Sequence, residues 1–156
     1  MSRLIENSIT IYEALQNIRD GKYVMPAFQR QFVWSMEQIE KLWDSILLDY
    51  PIATFLFWHV DDSNVTWDTY FCNFLSEVTF DSRKQADSVN YELTSINVKN
   101  TDTAVLDGQQ RLTSLYLSLF GEGYIRPNYA RKKSGDRLVT KLLIELNKNK
   151  ISVDEE

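Results

Sequence analysis

Glycine, cysteine and histidine are all scarce in this chain, and each shortage closes off a chemistry. Five glycines in 156 residues form neither a Gly-x-x-x-x-Gly-Lys phosphate loop nor a Gly-x-Gly-x-x-Gly dinucleotide turn. One cysteine, Cys72, leaves no intramolecular disulfide to form, which fits a reducing compartment. One histidine, His59, and one cysteine are too few for a zinc finger or a histidine-rich metal site. A Ser-His-Asp triad would have to use His59, and no nucleophile elbow accompanies it; His59 reads as a strand-end side chain. No apolar run approaches the roughly 18 residues of a membrane span, and Met1-Ser2-Arg3-Leu4-Ile5-Glu6 has no apolar signal core. The expectation is a soluble, cytoplasmic protein with no membrane partner. Positive charge is also short. The net charge is -5, which argues against a basic coat for nucleic acid over the whole chain.

Apolar residues, by contrast, are plentiful. They make up 44% of the chain, with 13% aromatic, enough for the core of one domain. Thr10 to Asp20 reads as a first helix, with Thr10 and Glu13 as a capping box and Gly21 beyond its end. Tyr23-Val24-Met25 is a short strand. Pro26 to Trp34 fits neither period and reads as an ordered loop, its polar Gln29, Arg30 and Gln31 held between apolar anchors. Ser35 and Gln38 cap a second helix with an apolar stripe of Ile39, Leu42, Trp43, Ile46 and Leu47, ended by Tyr50-Pro51. Ile52 to Val60 reads as a well-buried strand.

Residues 61–103 are expected to be an inserted hairpin region, with extended pieces at Thr69 to Phe74 and Tyr91 to Val98 flanking a flexible polar tip. Trp67, Tyr70, Phe71 and Phe74 are core or a stacking platform. Arg126 to Arg137 is the one dense basic segment and reads as a mobile solvated loop. Leu138 to Leu146 is a last strand. Residues 148–156 look like a truncated linker or tail after a domain spanning 1–147.

The chain is organised around Val105-Leu106-Asp107-Gly108-Gln109-Gln110-Arg111-Leu112-Thr113-Ser114. A short apolar strand turns at Asp107-Gly108 into a helix whose apolar residues fall at Leu112, Leu115, Tyr116, Leu119 and Phe120. Gly121 stands where a left-handed stop is expected. First-turn amides lack intrahelical partners and carry the positive end of the helix dipole, so a phosphate is a natural guest. Arg111 and Arg30 could grip phosphates bidentately. Asp107 could hold Mg2+, which needs few carboxylates when phosphates supply other ligands. Gln109 or Gln110 could orient an attacking water. The plain alternative makes Asp107 a helix cap and the rest solvated surface.

The ordered set Pro26-Ala27-Phe28-Gln29-Arg30, Phe32-Val33-Trp34, Leu42 with Asp44-Ser45-Ile46, Tyr50-Pro51-Ile52 and Asp107-Gly108-Gln109-Gln110-Arg111-Leu112-Thr113-Ser114 resembles the N-terminal domain of GmrSD-type, modification-dependent restriction systems. That domain is similar in turn to the ParB and sulfiredoxin nucleotide-binding fold. The resemblance covers roughly Leu4 to Phe120, with 61–100 as a departure. It implies an α/β (mixed α+β) domain: a small mixed sheet with packed helices. It also implies a nucleoside triphosphate as ligand, hydrolysis with a divalent ion, and coupling to cleavage of modified foreign DNA by a nuclease domain or subunit not present here.

Residue by residue it implies Asp107, Gln110 and Arg111 as catalytic. Gln29, Arg30, Gly108, Gln109, Arg111, Thr113 and Ser114 would bind nucleotide, and Asp107 the metal. The chain would then be a domain cut from a longer protein, a split subunit or a degenerate relative. Two rival readings stand beside this one. In the first, a module grips a DNA phosphate or modified base, assisted by Arg126 to Arg137, with steep salt dependence. In the second, an interaction domain docks a partner through Trp67 and the aromatic insertion.

Overall fold

The computed structural model describes residues 8–59, 70–81, 83–87, 101–128, 137–145 and 150–155. Helix α1, Ile11–Arg19, starts as its sequence dictates. The Glu13 amide donates to Thr10 Oγ1 at 3.2 Å and the Thr10 amide donates to Glu13 Oε2 at 2.7 Å, a reciprocal cap. Helix α2, Met36–Leu47, repeats the device with Ser35 and Gln38. It buries Met36, Ile39 and Leu42. Leu47, expected in the stripe, is the last residue of the helix and is 49% exposed.

Strands β1 (Tyr23–Pro26), β2 (Leu56–His59), β3 (Phe71–Cys72) and β5 (Thr103–Asp107) form one sheet in the order β2-β5-β1-β3. β1 and β5 are parallel, Tyr23 opposite Thr103, while β2 and β3 join antiparallel at the two edges. A second sheet has the order β4-β6-β7-β8, from Glu77–Phe80, Glu122–Ile125, Leu138–Glu145 and Lys150–Glu155. Helix α3, Gln109–Phe120, belongs to both halves. Its Leu112 and Leu115 pack with Leu15, Met25 and Val105, and its Leu117 packs with Phe32, Met36, Val78 and Phe80. Each fully buried aliphatic side chain of this kind stabilises the fold by about 1.5–3 kcal/mol, so α3 is the element whose loss would empty both cores.

Several expectations are corrected here. The run from Ile52 is not a well-buried strand. Among its described residues only Leu56–His59 forms a strand, at a sheet edge, with Leu56 55% and Trp58 46% exposed. Before it the backbone is irregular, with Ala53 at φ 66°. A continuous apolar run does not reveal whether its strand lies in the middle of a sheet or at its edge.

Of the extended pieces expected in the insertion, the first contains β3, which pairs with β1; β4, which was not expected, runs parallel to β6. After β4 the chain doubles back, Phe80 bridging Ala86, with the Asp81 carboxylate accepting from the Arg83 and Gln85 amides. The piece at Tyr91 to Val98, and Trp67, lie outside the described residues. Of the other insertion aromatics, Phe71 and Phe74 are core while Tyr70 is 62% exposed. The presumed tail contains β8, paired with β7 from Glu145–Lys150 to Thr140–Glu155; the two alternating apolar residues Ile151 and Val153 are too short a pattern to announce it.

Gly121 is not a left-handed stop. Its φ of -99° is open to any residue, and glycine is required there by crowding. A Cβ would lie 2.8 Å from Leu117 Cα and 2.9 Å from the Ser76 carbonyl.

Cys72 sits in the first core at 2% exposure, and burial pushes its thiol up to about 11 from an ordinary 9.0. Native protein is therefore expected to resist a thiol reagent at pH 8 and to react at the rate of unfolding. The raised value also sets a sign. The thiol's contribution to stability is complete below pH 9 and is lost as pH rises from about 9 to about 11, since only the unfolded state releases its proton in that window. Comparing melts of wild type and Cys72→Ala across that range measures it; parallel curves would refute the burial effect.

Candidate functional site

The site grows from the end of β5. Asp107 closes the strand, and Gly108, at φ 86°, turns the chain into α3 as its N-terminal cap residue. This left-handed conformation is natural to glycine. Space also demands it: a Cβ would fall 2.3 Å from Phe55 Cδ1. Because the cap residue is glycine, no side chain caps the helix. Asp107 therefore does not serve as the cap. The first-turn amides are left for water or a guest, at the positive end of the helix dipole.

The polar side chains that follow are engaged in building the walls. Arg111, 17% exposed, donates from its Nη1 to the Ile52 carbonyl at 2.6 Å and from its Nη2 to the Thr54 carbonyl at 2.9 Å. Its guanidinium lies over the Phe55 ring, 4.6 Å from the centroid. Asp107 approaches at 3.8 Å and is 70% exposed, a loose pair of little energetic weight. The Gln110 amide closes on the backbone of the upstream loop: Nε2 donates to the Gln31 carbonyl at 3.1 Å, and Oε1 accepts from the Val33 amide at 3.1 Å. Gln109 is buried and donates to the Val105 carbonyl at 2.8 Å. Gln29 donates to the Leu106 carbonyl at 3.2 Å. The two segments that the sequence set apart, 29–33 and 107–111, are thus stitched together.

Between them lies a cavity of about 220 Å³, lined by Gln29, Arg30, Trp34 and the run Leu106 to Arg111. Arg30 and Arg111 face the same space. Arg30 is exposed and, among the described residues, makes no hydrogen bond or ion pair. It is the free cation of the cavity, while Arg111 has two of its donors committed to backbone carbonyls. Asp107 is the carboxylate on the wall. Among the described residues no three His, Cys, Asp or Glu side chains cluster as metal ligands, so a divalent ion at Asp107 would draw its other oxygens from a phosphate and water.

Thr113 and Ser114 are not brought to this cavity. Both are within 1% of complete burial on the inner face of α3. Ser114 Oγ donates back to the Gln110 carbonyl at 2.7 Å, and the Thr113 hydroxyl finds no partner among the described residues. His59 is at a strand end, its Nδ1 3.1 Å from Thr103 Oγ1. The basic segment is not simply solvated where it is described. Arg126 pairs with Asp87, and Arg137 lies over Tyr124 at 4.5 Å and reaches Glu77 at 3.4 Å. Residues 129–136 lie outside the described residues. Phe55 and the carbonyls of Ile52 and Thr54 are participants that no pattern in the sequence marked.

A mixed α/β domain, with a strand–turn–helix junction and an upstream glutamine-arginine loop closed over one polar cavity, defines the class. The chain belongs to the family of GmrSD restriction endonuclease N-terminal domains, whose model matches residues 11–156. It is also similar to an uncharacterized protein of Methanocaldococcus jannaschii, 28% identical over 145 residues. That match covers 93% of this chain and 21% of the relative, so the chain spans about a fifth of that protein's length. Among the described residues no helix is long and apolar enough to cross a membrane.

Proposed function

We propose that the cavity holds the phosphates of a nucleoside triphosphate, and that the domain is the nucleotide-binding, regulatory part of a restriction system acting on modified DNA. In this reading DNA cleavage belongs to a nuclease domain or subunit outside this chain. The observation that carries the proposal is the unpaired Arg30 facing an uncapped helix start across one cavity. Oriented amides and an uncommitted guanidinium are well suited to binding phosphate.

The donor set also suits a magnesium-bound triphosphate. Arg30 and the first-turn amides would take phosphate oxygens, and Asp107 would hold the ion, which supplies charge neutralisation on the phosphates. Hydrolysis, the further step we assign to this site, leaves Asp107 as the group able to hold the ion or direct a water. Gln110 already spends both ends of its amide on the loop backbone, so orienting water would require it to release one of them. Its role here is to position the loop that carries Arg30.

Titration calorimetry with the common triphosphates tests the reading, and Arg30→Ala is the informative variant. Arg30 is exposed and supports no other residue, so its removal should leave the melting temperature unchanged while weakening binding at least about tenfold, the loss of one charge-assisted contact. If wild type binds none of the triphosphates, with or without magnesium, the reading is wrong.

A further inference from the structure

The cavity is smaller than a nucleotide. Its volume of about 220 Å³ falls below the roughly 300–1,000 Å³ of sites that enclose a whole small molecule. Phosphates fill it, and the sugar and base must rest on the surface outside. Phe28, on the turn that leads into the cavity wall, is 81% exposed. The next two residues, Gln29 and Arg30, both line the cavity.

The backbone around Phe28 is fixed at three points. The Gln29 amide donates to the Pro26 carbonyl at 3.1 Å, closing a turn, and the Ala27 amide donates to the Tyr70 carbonyl at 2.8 Å. The Gln29 side chain is tied to Leu106. A flat apolar ring is thus presented to water on a constrained turn, and it is the most exposed large apolar side chain among the described residues. Tyr70, 62% exposed, is joined to the same turn through its carbonyl.

We infer that Phe28 is a specificity-determining residue: its ring stacks on the base of the nucleotide whose phosphates occupy the cavity. The inference rests on the nucleotide reading and deepens it. Base–aromatic stacking is tolerant of base identity, since every base has a π face. Phe28 therefore separates nucleotides from bare polyphosphates more strongly than it separates one base from another.

The test compares adenosine triphosphate with inorganic tripolyphosphate by calorimetry on wild type, Phe28→Ala and Phe28→Trp. Phe28→Ala should weaken the nucleotide by about tenfold or more and leave tripolyphosphate affinity unchanged. Phe28→Trp should restore the nucleotide. The melting temperature of all three should agree, because the ring is in water. Equal nucleotide affinity in wild type and Phe28→Ala overturns the inference while the phosphate cavity stands. Equal losses for both ligands also overturn it, since the ring would then be acting on the cavity rather than on the base. Failure of both ligands to bind wild type overturns the cavity reading and this one together.

Discussion

Gly108→Ala is expected to lower folding stability by about 3 kcal/mol or more, read as the shift in urea midpoint at constant slope. Two penalties combine. An L-residue held at φ 86° gives up about 1–2 kcal/mol. The added methyl must also displace the Phe55 ring, whose nearest atom would lie 2.3 Å away, and forcing bulk into a packed site typically adds about 1–3 kcal/mol. Phe55 cannot retreat freely, because Arg111 lies over it. The double variant Gly108→Ala with Phe55→Val should recover part of the loss by making room, and no more, since the backbone strain stays. A Gly108→Ala protein as stable as wild type would show that the turn is not held in its left-handed form.

The second large effect is expected at Arg111. Arg111→Met keeps the aliphatic stem but removes the donors to Ile52 and Thr54 and the cation over Phe55. Hydrogen bonds from a charged group contribute about 1.5–3 kcal/mol each when buried. Water can reach the exposed Ala53–Thr54 backbone after the change, so the net loss is expected to be about 2–3 kcal/mol. Arg111→Lys should recover little. An ammonium restores charge but cannot reach two carbonyls in one plane and stack on a ring as well. Lysine rescue to wild-type stability would mean that charge alone matters here. Because these variants loosen the cavity wall, a loss of ligand binding in them would not identify Arg111 as a ligand contact; Arg30 is the cleaner probe.

How much of this was legible from residue order differs by element. The two capping boxes, Thr10 with Glu13 and Ser35 with Gln38, are written in local chemistry, and both helices begin where those residues place them. The strand–turn–helix at Asp107-Gly108-Gln109 is equally local: an apolar strand, a residue free to take positive φ, then a helical period. The pairing of the Gln29-Arg30 loop with that turn was expected, and the coordinates bring them to one cavity.

What could not be read depends on partners far along the chain. An amide looks the same in sequence whether it faces a ligand or a backbone, so the closure of Gln110 on Gln31 and Val33 was invisible. So was the use of Arg111 to hold a loop more than fifty residues earlier. The helical face of α3 was misjudged for a similar reason. The expected stripe included Leu119, which is 50% exposed, and omitted Leu117, Thr113 and Ser114, which are buried. A helix packed against two cores hides more than one stripe, and a single-face period undercounts it.

Arg111 and Gln110 grip the main chain of the segments they hold: the carbonyls of Ile52, Thr54 and Gln31 and the amide of Val33. Such grips are blind to residue type. The side chains at Val33 and Thr54 can therefore be exchanged during evolution, or by an engineer, without disturbing the frame. The cavity's walls are anchored through backbone that other side chains could equally well clothe.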